Sequence, residues 1–269
     1  MKNQIMSYGD MQESIRNLDR AGNWHSILLL DSCHEGLQDA FVFEESMRFL
    51  SLEQQARILR KKSYPDRCKA LCNRLLQISG ISMATGLPHT QLKYKNGTYG
   101  KPQLKDIDGL AFSMSNGERY VAQYIVKGKH CEVGIDLAST ADYSGDQDLN
   151  NFKEIFSSQE FESLIQCNPT KRAPMFAYIW SLKECYTKYT GLGLNSELCN
   201  IDFGKLNLFD SDNTLRRRIG GKEIWFYSHW ITPNEVVTVC HESSYDLDQN
   251  PHLHHLTLQD VLKQLRKTR

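Results

Sequence analysis

No apolar run in the chain approaches the roughly 20 residues that a membrane-spanning helix requires, so a bilayer-embedded protein is not expected. Net charge of either sign is missing too. Lys plus Arg and Asp plus Glu number 32 each, which leaves no global field to draw in nucleic acid or an anionic membrane surface. Any anionic ligand must be held by local basic groups. C-x-x-C pairs are absent. The eight cysteines (33, 68, 72, 131, 167, 185, 199 and 240) are scattered along 269 residues, as expected for reduced, mostly buried thiols in a cytosolic protein. The segment Met1–Arg20 is polar and carries both charges, which is not the pattern of a signal peptide; a cytoplasmic location is expected. In that setting Asn96-Gly97-Thr98 reads as a hairpin turn rather than a glycosylation site.

Several reaction classes lack their residues. There is no G-x-S-x-G serine. Gly191-Leu-Gly193 has neither the third glycine nor the preceding strand of a dinucleotide loop, and reads as a helix stop. The acidic stretch Thr140–Asn150 has neither the spacing nor the closing Glu of an EF-hand and reads as a loop. His252, His254 and His255 stand too close together and too far from other ligands for a zinc site. The aromatic residues form no stacking platform with a basic stripe, which speaks against RNA binding.

What is present centres on Trp180-Ser-Leu-Lys183-Glu184-Cys-Tyr-Thr-Lys188. At helical period Trp180, Glu184 and Lys188 fall on one stripe. Taken alone, Glu184 and Lys188 suit a surface ion pair, the commoner case, or one wall of an active site. A second segment, Val133-Gly134-Ile135-Asp136, ends an apolar strand-like run in an acid, with Gly134 allowing close backbone approach. Two carboxylates from separate elements, one with a lysine a turn away, are what a hard cation bound to phosphate requires.

Around these segments the chain reads as strand, helices and hairpins, then strand, helices and strands. A strand is expected at His25–Asp31. Ser51-x-x-Gln54 has capping-box spacing and opens a helix to about Lys62 carrying Arg57. A second helix, Asp66–Ser79, carries Arg67 and stops at Gly80. Such basic clusters are usually solvated faces; the alternative is a phosphate clamp. Extended segments flank Asn96-Gly97, with Lys101 held between Gly100 and Pro102. Strands follow at Ala111–Ser115, Arg119–Val126 and Cys131–Leu137. Ser157-x-x-Glu160 opens another helix, Pro174 lies in the first turn of the central helix, and Gly191 ends it. Further strands are expected at Leu206–Phe209, Glu223–Trp230 and Glu235–Cys240, then an amphipathic helix at Thr257–Leu265. This order gives two α+β halves, 1–130 and 131–269.

Gly100-Lys101-Pro102, Phe112-Ser-Met-Ser115, Gly134-Ile135-Asp136, Phe156-Ser157 and Trp180-x-x-Lys183-Glu184-x-x-x-Lys188-x-x-Gly191-x-Gly193 occur in this order and spacing in 4′-phosphopantetheinyl transferases. The chain resembles the long, single-chain Sfp-type members. It is similar in particular to the fungal members that activate α-aminoadipate reductase in lysine biosynthesis, which share Gln55-Ala-Arg-Ile-Leu59 and Trp180-Ser-Leu-Lys-Glu184. The resemblance implies an α+β fold of two similar halves related by a pseudo-two-fold, with the active site between them. It implies transfer of phosphopantetheine from coenzyme A to a carrier-domain serine, with release of adenosine 3′,5′-bisphosphate. Asp136 and Glu184 match the carboxylates that hold Mg²⁺, and Lys188 matches the lysine that approaches the same phosphates. Lys101, Ser115 and Asn116 match positions contacting coenzyme A; Arg57 and Arg67 are further candidates for its phosphates. A monomer acting on a carrier-domain protein is implied, and the base is Glu184 or a metal-held water. The same resemblance is compatible with a fatty-acid-synthase or mitochondrial carrier as acceptor, or with a carrier-binding module that no longer catalyses.

Two positions depart from the family pattern. Asp136-Leu137-Ala138 stands where members often have Asp-x-Glu, so water or another side chain must replace the missing carboxylate, Glu118 being the nearby candidate in sequence. Ser115-Asn116 stands where Ser-His is common, and Asn cannot carry positive charge.

Overall fold

The computed structural model describes residues 22–128, 131–145, 152–193, 197–244, 247 and 250–268. They mix strands and helices in an α+β arrangement and divide into two compact units. One holds the described residues up to Lys95, from Gln103 to 128, and from Leu247 onward; the other holds Asn96–Pro102 and those from Cys131 to 244. The tail therefore belongs with the first unit, not with the second half that chain order suggests. The cause is a strand, His252–Leu256, that runs parallel to Trp24–Asp31.

In the first unit the sheet runs β10 (His252–Leu256), β1 (Trp24–Asp31), β5 (Tyr120–Lys127), β4 (Leu110–Asn116). Seven of the eight β1 residues are buried, as fits a strand covered on both faces. Helices α1 (Ala40–Met47), α2 (Leu52–Leu59) and α3 (Tyr64–Thr85) precede a hairpin of β2 (Lys93–Asn96) and β3 (Pro102–Lys105). Helix α3 is capped by the Ser63 side chain and carries Pro65 in its first turn. It runs past Gly80, where the sequence suggests a stop. A Cβ on Gly80 would lie 1.9 Å from Gln123 Oε1, so this glycine lets the helix rest on β5. Gly86, at φ 71°, ends the helix instead.

The second unit is an antiparallel sheet in the order β6 (Val133–Ser139), β9 (Glu235–Glu242), β8 (Lys222–Thr232), β7 (Asp212–Ile219). Helices α4 (Ser158–Gln166) and α5 (Arg172–Thr190) complete it, while α6 (Leu258–Lys267) belongs to the first unit. Leu206–Phe209 is irregular rather than a strand. The Leu206 N–H donates to Ser163 Oγ at 3.0 Å and so is withdrawn from any ladder, while Leu206 itself is buried.

Each unit buries a histidine whose pKa is held down to about 4. Burial is the main cause for His254, aided by His252 and His255. For His241 burial is again first, partly offset by the hydrogen bond to the Glu242 carbonyl. A folded-state pKa below the ordinary 6.5 means that the unfolded chain binds more protons between those values. Stability is therefore expected to fall as pH drops from about 6.5 towards 4, by about 3 kcal/mol per histidine at most. Urea unfolding midpoints at pH 7 and pH 4.5 measure this, and His254→Leu should weaken the dependence.

Candidate active site

The site is built on the face of β6 turned to α5. Alternate β6 residues share a face, and Gly134, Asp136 and Ala138 line this one. At Gly134 a Cβ would fall 2.1 Å from the Cys185 carbonyl oxygen and 2.9 Å from the Tyr189 nitrogen, so only glycine lets the α5 backbone settle on the strand. Two residues on, Asp136 is 5% exposed, and Lys188 Nζ donates to its Oδ1 at 2.7 Å.

Glu184 lies one turn before Lys188 on α5. Its Oε1 is buried and makes no hydrogen bond among the described residues. Its carboxyl is held above the usual carboxylate range, first by burial and then by the negative charge of Asp136, with Lys188 pulling the other way. Two acids and one ammonium thus share a desolvated spot. A second carboxylate beside a buried one disfavours ionisation of both, and a divalent cation relieves that conflict. Among the described residues no group of three or more His, Cys, Asp or Glu side chains could hold a metal. Asp136 and Glu184 make a pair, and a pair is enough for a hard cation that takes its other ligands from water and substrate phosphate.

Ala138 explains why no third acid is found on β6. It is buried with Ala177 and Val236, and Trp180, Phe209 and Trp230 pack against that cluster. A carboxylate there would be buried among apolar groups. Trp180 stacks on Phe176 with ring centroids 6.0 Å apart; it closes the apolar end of the stripe on which Glu184 and Lys188 stand.

Lys101 is committed to three acceptors. Its Nζ donates to Glu132 Oε2 at 2.9 Å, to the Val133 carbonyl at 3.0 Å and to the Tyr189 carbonyl at 3.2 Å. It ties the start of β6 to the end of α5. The other sequence candidates lie on the first unit. Arg57 pairs with Glu53 at 2.6 Å on an exposed helix face. Arg67 Nε donates to the Lys61 carbonyl at 2.9 Å. Ser115 is buried on β4, and Asn116 Oδ1 accepts from Asn73 Nδ2 at 2.7 Å. Glu118 is exposed between β4 and β5. Of these candidates, the structure brings together Asp136, Glu184 and Lys188, with Lys101 at the strand–helix junction beside them.

Sequence reasoning missed Lys183. This side chain is fully buried and pairs with Glu160 at 2.8 Å; the signal available was its place one turn after Ile179 and Trp180 on the helix. A cleft of about 840 Å³ opens at the N-terminal end of α5, lined by Lys171, Met175, Phe209 and Trp230 among others. Asp136, Glu184 and Lys188 do not line it.

The family model described as the 4′-phosphopantetheinyl transferase superfamily matches residues 132–240, a span that begins just before β6 and includes all of α5. An L-aminoadipate-semialdehyde dehydrogenase-phosphopantetheinyl transferase of Saccharomyces cerevisiae is 41% identical over 247 residues, covering 89% of this chain and 90% of that protein. Its namesake in Candida glabrata is 36% identical, covering 86% and 89%. The 4′-phosphopantetheinyl transferase Sfp of Bacillus subtilis is 28% identical over 58% of this chain and 66% of its own. With likeness of this degree along almost the whole length, the chain belongs to the 4′-phosphopantetheinyl transferase superfamily.

Proposed function

We propose that this protein transfers the 4′-phosphopantetheine moiety of coenzyme A to a serine of an apo-carrier domain, releasing adenosine 3′,5′-bisphosphate, and that its acceptor is α-aminoadipate reductase in lysine biosynthesis. The names of the fungal relatives support the acceptor. One observation carries the site: a buried Glu184 oxygen with no hydrogen-bond partner among the described residues, on a carboxyl that burial and Asp136 push up. In this reading the two units are variants of one plan, each a four-stranded sheet with a long helix.

Phosphoryl transfer depends on positioning and charge neutralisation more than on covalent help from the protein. Asp136 and Glu184 would hold Mg²⁺. When bound, that ion neutralises charge on the pyrophosphate of coenzyme A. Lys188, whose Nζ donates to Asp136 Oδ1, supplies the positive charge that meets a phosphate oxygen. Glu184 is the protein group assigned to take the proton from the carrier serine. Arg57, Arg67, Lys101, Ser115 and Asn116 are assigned to coenzyme A. For Lys101 this requires release of at least one of its three acceptors. The nucleophile comes from the partner, which accounts for the lack of a G-x-S-x-G serine here.

The test is mass spectrometry of an apo-carrier domain of α-aminoadipate reductase after incubation with the protein, coenzyme A and Mg²⁺. A phosphopantetheine mass gain on the carrier serine is expected, faster than on fatty-acid-synthase or mitochondrial carriers. Binding of coenzyme A with no gain on any carrier would sink the proposal.

A further inference from the structure

Under α5 a polar row runs across the strands between two apolar ones. Asp136 on β6, Thr238 on β9 and Ser228 on β8 are register partners, and directly opposed residues share a face. The flanking rows are Gly134, Cys240 and Phe226 on one side and Ala138, Val236 and Trp230 on the other. Ser181 of α5 reaches into the polar row. Its Oγ lies 2.7 Å from Thr238 Oγ1, which lies 2.8 Å from Ser228 Oγ. None of the three residues is more than 2% exposed.

The proton order in this chain is determined. Ser181 Oγ donates its single proton to the Tyr178 carbonyl at 2.8 Å. It must then accept from Thr238, which in turn accepts from Ser228. Every hydroxyl proton is used, and the chain of bonds runs one way, from β8 through β9 to the backbone of α5. The Thr238 proton goes to the helix and not to Asp136, its opposite neighbour.

We propose that Ser181, Thr238 and Ser228 are positioning residues that fix the spacing of Asp136 and Glu184. Ser181 lies three residues before Glu184, on the same side of the helix, and Thr238 faces Asp136 across one strand pair. The bond between them therefore couples the two elements at the level of the acids. Beyond the close approach at Gly134, apolar packing is non-directional and opposes a small slide of α5 only gradually. A buried hydroxyl does not tolerate the same shift: any other register of α5 breaks the Ser181–Thr238 bond and leaves the buried Thr238 proton without an acceptor. The row thereby selects a single register. This inference rests on the reading of Asp136 and Glu184 as the cation-holding pair.

The experiment measures Mn²⁺ affinity of the full chain in the presence of coenzyme A by electron paramagnetic resonance, alongside the Mg²⁺ concentration at half-maximal transfer. Thr238→Val keeps the side-chain shape and removes the hydroxyl. It is expected to stay folded by circular dichroism and to bind Mn²⁺ about tenfold more weakly, the size of effect seen when support for metal ligands is lost. Thr238→Ser is expected to restore wild-type affinity. Unchanged Mn²⁺ affinity in Thr238→Val overturns the proposal, and so does a Thr238→Ser variant as weak as the valine. Should Thr238→Val fail to fold, Ser181→Ala, a change that favours helix, carries the same test: weaker Mn²⁺ binding supports the proposal and unchanged binding overturns it. A wild-type chain that binds no Mn²⁺ and modifies no carrier sinks the cation-pair reading itself, which is a different outcome.

Discussion

Asp136→Asn and Glu184→Gln should each cut phosphopantetheine transfer by about 10³-fold or more, a loss of about 4 kcal/mol of transition-state stabilisation, without unfolding the protein. The two variants remove one charge each from the same place, yet their effects on stability should differ in sign. Asp136 is partnered by Lys188 at 2.7 Å. Asn keeps the shape but gives up a charge-assisted bond to an ammonium that is 28% exposed, so water limits the cost and a small loss is expected. Glu184 is the opposite case. Its folded-state pKa lies above the unfolded value, because burial and Asp136 oppose its charge more than Lys188 favours it. Such a group costs stability once pH exceeds its unfolded pKa, and replacing it with the neutral amide removes that cost. Glu184→Gln should therefore be inactive and at least as heat-stable as the parent at pH 7. That combination separates a group kept for reaction from one kept for folding. The carrier mass assay and thermal unfolding at pH 7 provide both readouts. Transfer near the parental rate in either variant would show that the cation is held elsewhere.

The stripe on α5 was legible because its spacing and its terminator are local. Glu184 and Lys188 are one turn apart, and Gly191 adopts φ 73° at the helix end. Capping boxes at Ser51 and Ser157 begin helices in the structure for the same reason. What lay hidden depended on partners distant in sequence. Gly80 resembles a stop until Gln123 of β5 is placed against it. β10 contains three histidines in five residues, and only the parallel β1 beside it makes them a strand. β7, with Arg216, Arg217 and Arg218 in succession, lacks an apolar alternation strong enough to announce an edge strand; pairing with β8 supplies it. Ala138 showed that a third acid was missing but not why. The answer is the packing of Ala177 and Val236 around it. Lys101 reads from the sequence as an ammonium projecting to meet phosphate, whereas three acceptors from two chain segments surround it.

Lys183 is the further case, and it carries the largest expected effect on stability. The motif sets it beside Glu184, yet its ammonium points into the core of the second unit. There it meets Glu160 Oε2 at 2.8 Å and the carbonyls of Leu198 and Ile201 at 2.8 and 2.6 Å, between the rings of Phe156 and Phe203. Burial pushes the ammonium pKa down and Glu160 pulls it back up. Glu160 also accepts from the Phe203 and Ser157 N–H groups, each at 2.8 Å. The pair thus joins α4, α5 and the loop before β7. Lys183→Met leaves the Glu160 charge buried without its cation, and removing one partner of a buried pair costs about 3–5 kcal/mol. The unfolding temperature should fall by about 6–20 °C for a chain of this size. Glu160→Gln alone should be costly as well. In the double variant Lys183→Met/Glu160→Gln the loss should be clearly smaller than the two single losses added, since it leaves no lone buried charge. With no exposed atom, Lys183 cannot reach a phosphate, so the KM for coenzyme A in Lys183→Met should match the parent at a temperature where the variant is folded. An unchanged unfolding temperature, or a KM raised tenfold with the fold intact, would show that this lysine serves coenzyme A and not the core.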